Sequence, residues 1–243
     1  MVLVEVAANS VQSAIAAQKG GAKRIELCAN LVEGGTTPSK SQIELTRNNV
    51  DIDLNVIIRP RGGDFCYDDL DFESMKLDIQ LCGALQCNGV VIGMLDQYGN
   101  VDFRRNEELV LLAKSYGLSV TFHRAFDRAC NLMQALEDVI RLGCDRILTS
   151  GGYPSVSEGR EVLKKLVVEA NDRIIIMPGA GVNENNVSDI VAYTNAKEVH
   201  GTFQALKEGS MLYHSPNFTD HSEYSFLLSD EVRVSKIVRS VNY

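Results

Sequence analysis

The chain has 243 residues, 45% of them hydrophobic, with a net charge of −8 and a pI near 5.1. That is enough apolar material for one α/β barrel or two small domains, and the acidic balance, with no Lys/Arg-rich run, excludes an electrostatic nucleic-acid or anionic-membrane surface. Tryptophan is absent, no apolar stretch approaches the roughly 20 residues that span a bilayer, and residues 1–20 lack a signal-peptide pattern, so a cytoplasmic protein with an ion or small molecule as partner is expected.

Short β-branched runs alternate with longer segments of helical periodicity, the pattern of repeated βαβ units. In chain order the predicted strands are 2–6, 24–28, 53–58, 89–92, 119–123, 146–149, 174–177 and 198–200. Apolar residues recur at helical spacing between them, as in Met75, Ile79 and Cys82, or Leu132, Ala135, Leu136, Val139 and Ile140. Gly20-Gly21, Gly117 and Gly143 supply helix stops before strands two, five and six. Residues 21–25 (Gly-Ala-Lys-Arg-Ile) and 143–147 (Gly-Cys-Asp-Arg-Ile) echo one another in stop, turn and strand start.

Eight such units at 22 to 36 residues each match a (β/α)8 TIM barrel, taken as a single domain over 1–243. A doubly wound open sheet would carry a Gly-rich loop after its first strand, where this chain has Ala7, Ala8, Asn9 and Ser10. Beyond strand eight, 214–228 reads as irregular. Val234, Ile237, Val238 and Val241 then mark a closing helix capped near Ser229 or Asp230. The segment 214–243 is expected to cover one barrel end or meet a neighbouring subunit.

Barrel chemistry sits at the C-terminal strand ends. Leu3, Glu5 and Ala7 share one strand face, and Glu26 with Cys28 can lie beside them, with Arg59 and Arg61 offered as neutralising cations. Two readings stay open: a buried structural ion network, or an anion site in which Arg59, Arg61 and Arg124 bind, with Glu26, His123 and Asp127 as acid/base candidates. Gly179 and Gly181 let backbone N–H groups approach a ligand, or simply turn the chain. His200-Gly201 after the next strand favours the phosphate reading.

The six cysteines (28, 66, 82, 87, 130 and 144) form no Cys-x2-Cys pair, so reduced thiols are expected. Cys28 can be a core thiol, a nucleophile or a soft-metal ligand. Cu(I) would draw on Cys28, Met177, Met94, Cys66 and His123.

Five blocks carry a resemblance: 24–28 (RIELC) with 33–38 (EGGTTP), 58–65 (IRPRGGDF), 120–127 (VTFHRAFD), 146–151 (RILTSG) and 176–181 (IMPGAG). Together they strongly resemble the CutC family of copper-homeostasis proteins. The resemblance implies a cytosolic, oligomeric (β/α)8 barrel associated with copper handling, and no established reaction. In animal-type members it implies Cu(I) bound by the Glu-Leu-Cys cysteine and a second cysteine after the first-strand Glu-Val pair. Here Cys28 holds the first position and Ala7 the second. The charged positions Glu26, Arg59, Arg61, Asp64, His123, Arg124 and Asp127 all stand in matching blocks. Three readings result: a copper-homeostasis protein binding Cu(I) through Cys28, a barrel enzyme or sensor for a small phosphorylated or carboxylated metabolite, and a purely structural or assembly role.

Overall fold

Alternation along short β-branched strands places one set of side chains inside a closing sheet and the other against covering helices. The computed structural model, which describes residues 1–217 and 224–242, shows this arrangement as a (β/α)8 barrel. The strands are β1 (Leu3–Ala8), β2 (Arg24–Leu27), β3 (Asp53–Ile57), β4 (Gly89–Ile92), β5 (Ser119–Phe122), β6 (Arg146–Thr149), β7 (Ile175–Pro178) and β8 (Glu198–Gly201). They pair in parallel in the order β7-β6-β5-β4-β3-β2-β1-β8, and β7 lies beside β8 across the seam.

The covering helices are α1 (Val11–Lys19), α2 (Lys40–Asn49), α3 (Asp69–Ala84), α4 (Phe103–Ser115), α5 (Leu132–Leu142), α6 (Arg160–Ala170), α7 (Val187–Thr194) and α8 (Glu231–Asn242). Their starts use local chemistry. Ser39 and Gln42 form a reciprocal capping box at α2, and Asn131 accepts from the Met133 and Gln134 N–H groups at α5. Gly143, with φ 80°, ends α5 in the left-handed conformation expected of a helix stop.

Outward-facing Val4, Val6, Ile25, Leu27, Val56, Val90, Ile92, Val120, Phe122, Ile147 and Val199 pack under the helices as one core. The inward set contains a separate small apolar cluster, Ala7, Cys28, Ile57 and Val91. Apart from Leu148 and Met177, the rest of the lumen is largely polar, with Glu5, Arg24, Glu26, Asn55, Thr121, Arg146, Glu198 and His200 all buried.

After β8 the chain forms an antiparallel hairpin, β9 (Gln204–Glu208) with β10 (Ser225–Ser229). It docks beside α1: Asn9 Nδ2 donates to the Leu227 carbonyl, and the Ser229 N–H donates to Ser13 Oγ. The expected irregular stretch 214–228 therefore contains strand at 225–228, while 218–223 lies outside the described residues. Asp230 begins α8 by accepting from the Arg233 N–H, as the sequence suggested. The helix completes the outer ring between α7 and α1, and Asn242 exchanges two hydrogen bonds with Val2. Among the described residues no helix is long and apolar enough to cross a membrane.

Candidate functional site

Parallel register sets Glu5 opposite Arg24 on β2 and opposite His200 on β8. Glu5 pairs with Arg24 Nε, and its Oε1 lies 2.8 Å from His200 Nδ1. Arg24 also pairs with Glu198, whose carboxylate meets Arg146 Nε at 3.2 Å. The two arginines of the sequence echo thus converge on Glu198. The groups that pair with the lumen carboxylates are Arg24, Arg146 and His200, not Arg59 and Arg61, because the latter stand beyond the end of β3, above the layer of Glu5. Arg24 has the same strand parity as Glu26, and the echo was the available signal for it.

His200 Nε2 faces Glu26 Oε2 at 3.5 Å. Burial alone would raise the Glu5 carboxyl, but the Arg24 charge and the His200 hydrogen bond hold it at about 2. Glu26 is also buried and lacks such a partner, so burial, helped by the charge of Glu5, lifts it to about 7 against the pull of His200 and Arg24. Burial disfavours the charged ring of His200, yet the Glu5 hydrogen bond and the charges of Glu26 and Glu5 raise its pKa above the ordinary value.

Glu26 and His200 form part of the floor of a cavity of about 230 Å³ at the C-terminal mouth. The walls include Arg59, His123, Arg124, Phe65, Leu148 and the Ala180–Val182 loop. Arg59 is buried, yet no Asp or Glu among the described residues forms an ion pair with it. It donates to the carbonyls of Glu33, Gly35 and Gly63, while its buried Nε has no hydrogen-bond partner.

His123 sits over Phe65 with ring centroids 5.0 Å apart, and Gly93 makes room for it, since a Cβ there would lie 2.6 Å from Nδ1. Its Nδ1 accepts the Ala125 N–H at 3.1 Å, and its buried Nε2 has no partner. Burial and the nearby Arg59 charge depress its pKa to about 3, so the ring is neutral and carries its proton on Nε2.

Ala180 and Gly181 take positive φ values of 77° and 79°, a conformation uncommon for alanine. The turn is held because the Ala180 carbonyl accepts from Val156 and the Gly181 carbonyl accepts from Asn183 and Asn186. Among the described residues the N–H groups of Ala180, Gly181 and Val182 donate to no protein acceptor. Gly179 supports the same turn: a Cβ there would lie 2.4 Å from Leu148 Cδ1 and 3.3 Å from His200 Cδ2.

Other sequence candidates stand elsewhere. Arg61 lies outside the cavity, its side chain 40% exposed and paired with Asp64 and Asp71. Asp127 is a loop organiser rather than an open acid: it accepts from Thr149 Oγ1, the N–H groups of Ser150 and Gly152, Ser150 Oγ and Arg124 Nε. That contact orients Arg124 on the cavity rim. Thr202, which the sequence pattern did not single out, also lines the mouth.

The soft groups named as candidates for Cu(I) lie apart from one another. Cys28 Sγ lies 3.6 Å from the Ala8 carbonyl inside the small apolar cluster. Burial first, then the charges of Glu26 and Glu5, push its thiol well above the usual range. Met94 packs in the outer core, Met177 lies against Arg24, and Cys66 is exposed beside another recess. Among the described residues no three His, Cys, Asp or Glu side chains converge as a metal-ligand group.

Residues 2–205 match the CutC family. A family protein CutC from Parabacteroides distasonis is 48% identical over 216 residues, covering 88% of each chain. The mouse copper homeostasis protein cutC homolog is 41% identical over 237 residues, covering 96% of this chain and 86% of its own. The crystal structure of CutC from Streptococcus agalactiae superposes with a TM-score of 0.79 at 35% identity, covering 83% of this chain and 99% of that one.

Proposed function

Taking as premise that this chain belongs to the CutC family, we propose that its barrel mouth binds a small phosphorylated or carboxylated metabolite and performs acid/base chemistry on it. One observation carries the proposal: Arg59 is a buried cation on the cavity wall with no carboxylate partner among the described residues and an unpartnered Nε. A buried charge left unpaired is expensive, and an anionic ligand would compensate it. Arg124 and the Ala180–Val182 amides add donors around the same cavity. They lie after β5 and β7, and the β7–β8 loop region is where barrels commonly place phosphate.

Glu26 supplies the acid/base group. A carboxyl near pKa 7 is available in both protonation states at neutral pH, and Glu26 opens onto the cavity. Glu5 orients His200 from behind, and His200 fixes the electrostatics of Glu26.

A thermal-shift screen of anionic metabolites tests the reading. A bound ligand at 100 times its Kd should stabilise the protein by about 2.7 kcal/mol. The gain should fall in Arg124→Met, which removes a rim donor while leaving the barrel core intact. An empty screen, or a gain indifferent to Arg124, would count against it.

Copper handling, carried by the name of the mouse relative, is the second reading, and on this chain it rests on Cys28. In an anaerobic competition titration, Cys28→Ala is expected to bind Cu(I) no more weakly than the parent chain. A tenfold loss would restore the copper reading.

A further inference from the structure

We infer that the mouth catalyses reversible proton abstraction beside the carbonyl of a small phosphorylated hydroxycarbonyl compound, with Glu26 as base and His123 Nε2–H as donor to the oxygen that becomes negative. The inference rests on the anion-site reading above and names the reaction of that site.

The geometry of His123 is the starting point. Because Nδ1 accepts the Ala125 backbone N–H, the neutral ring must carry its proton on Nε2, which is buried, unpartnered and part of a residue lining the cavity. A buried N–H without an acceptor costs free energy, and an oxygen gaining negative charge is the acceptor it lacks. Burial and Arg59 keep the ring neutral. Neutral histidine paired with a glutamate base is an established solution for enolisation in a barrel.

Glu26 stands on β2 and His123 just beyond β5, with β3 and β4 between them, so a substrate can lie between base and donor. Apart from the 3.5 Å approach of His200 Nε2, the Glu26 carboxylate has no ion-pair or hydrogen-bond partner among the described residues. Its oxygens are therefore free to take a proton. The cavity, of about 230 Å³, suits a few carbons and one phosphate. Arg59, Arg124 and the Ala180–Val182 amides would receive the phosphate.

The step balances within the substrate. The Cα–H bond breaks, its proton forms an O–H bond on Glu26, its electron pair becomes the C=C bond, and the carbonyl π pair moves onto oxygen facing His123. Once solvent has exchanged the proton on Glu26, its return to the same carbon places a solvent hydrogen there. Return to the former carbonyl carbon, with the hydroxyl proton passing to the other oxygen, gives the isomer. No oxidant, reductant or further reactant enters.

Calorimetry with inorganic phosphate, glycerol 3-phosphate and phosphoglycolohydroxamate, an enediolate mimic, tests the donor. Proton NMR of dihydroxyacetone phosphate in D2O tests the base. The mimic should bind at least tenfold more tightly than glycerol 3-phosphate, and carbon-bound hydrogen should exchange for deuterium. His123→Phe, which keeps the ring volume, should abolish the preference while leaving glycerol 3-phosphate binding within twofold, and His123→Gln, which restores an N–H, should recover part of it. Glu26→Gln should stop exchange and retain the mimic. Equal binding of the two phosphate esters, indifference to His123→Phe, or no deuterium incorporation would overturn the inference while leaving the anion site standing. Failure of all three ligands to bind would overturn the anion-site reading itself.

Discussion

At Glu26, burial gives the folded protein a tighter hold on a proton than the unfolded chain has, with a pKa near 7 against an ordinary 4.5. Its contribution to stability is therefore full below about pH 4.5 and is lost as pH rises through about 7. Glu5 has the opposite sense: held at about 2, it stabilises above pH 4.5 and stops doing so as pH falls through about 2. His200, raised above its ordinary value, loses its contribution with rising pH, as Glu26 does. Urea unfolding should show the parent chain losing a few kcal/mol between pH 5 and pH 8, since each tenfold change in proton affinity on folding is worth about 1.4 kcal/mol. Glu26→Gln should flatten that decline, and an unchanged slope would place the Glu26 carboxyl in its ordinary range.

Much of this chemistry was legible residue by residue. Strand parity placed Glu5, Glu26 and Cys28 on one face, and Arg59, His123 and Arg124 do meet at one cavity. Arg61 does not, because Asp64 and Asp71 draw its side chain outward, and contacts between loops have no periodic signature. Asp127 likewise looked like an open acid, and only the fold shows its oxygens occupied by the loop after β6.

Among the elements, that Asp127 cluster joins the loop after β5 to the loop after β6 and thereby sets Arg124 on the rim. Asp127→Ala should cost about 3 kcal/mol, because it leaves several buried donors without an acceptor. Thermal unfolding checks the loss, and weaker anion binding should accompany it. A change below about 0.5 kcal/mol, the level of an unremarkable surface substitution, would contradict the role.

Helix α8 meets α1 at Gly20, where a Cβ would lie 2.6 Å from Val234 side-chain atoms. Gly20→Ala should therefore destabilise by about 1–3 kcal/mol, as overpacking does, measured by chemical denaturation. The barrel strands were readable because β-branched runs recur between helix stops. The β9–β10 hairpin was not: Gln204–Glu208 has a weak strand composition, and Phe226 and Leu227 are both half-exposed, so no alternation marks a buried face.

For the whole molecule, alternation divides the sheet into an apolar outer layer that supplies the core and a lumen crossed by Arg146, Glu198, Arg24, Glu5, His200 and Glu26. The barrel itself could be read from sequence because its outer layer follows a simple period. Its chemistry could be read only in part, since register decides which lumen charges meet. The lower charges are paired with one another, whereas Arg59 has no carboxylate partner among the described residues and its buried Nε and the buried His123 Nε2 have no hydrogen-bond partner. Those two unpartnered donors on cavity-lining residues carry the functional account. Electron density from crystals grown in phosphate tests it most directly: the expected result is a tetrahedral anion in the mouth within hydrogen-bond distance of Arg59 or Arg124 and of the Ala180–Val182 amides. A mouth holding only water at saturating phosphate, with Arg59 taking a carboxylate partner of its own, would contradict it.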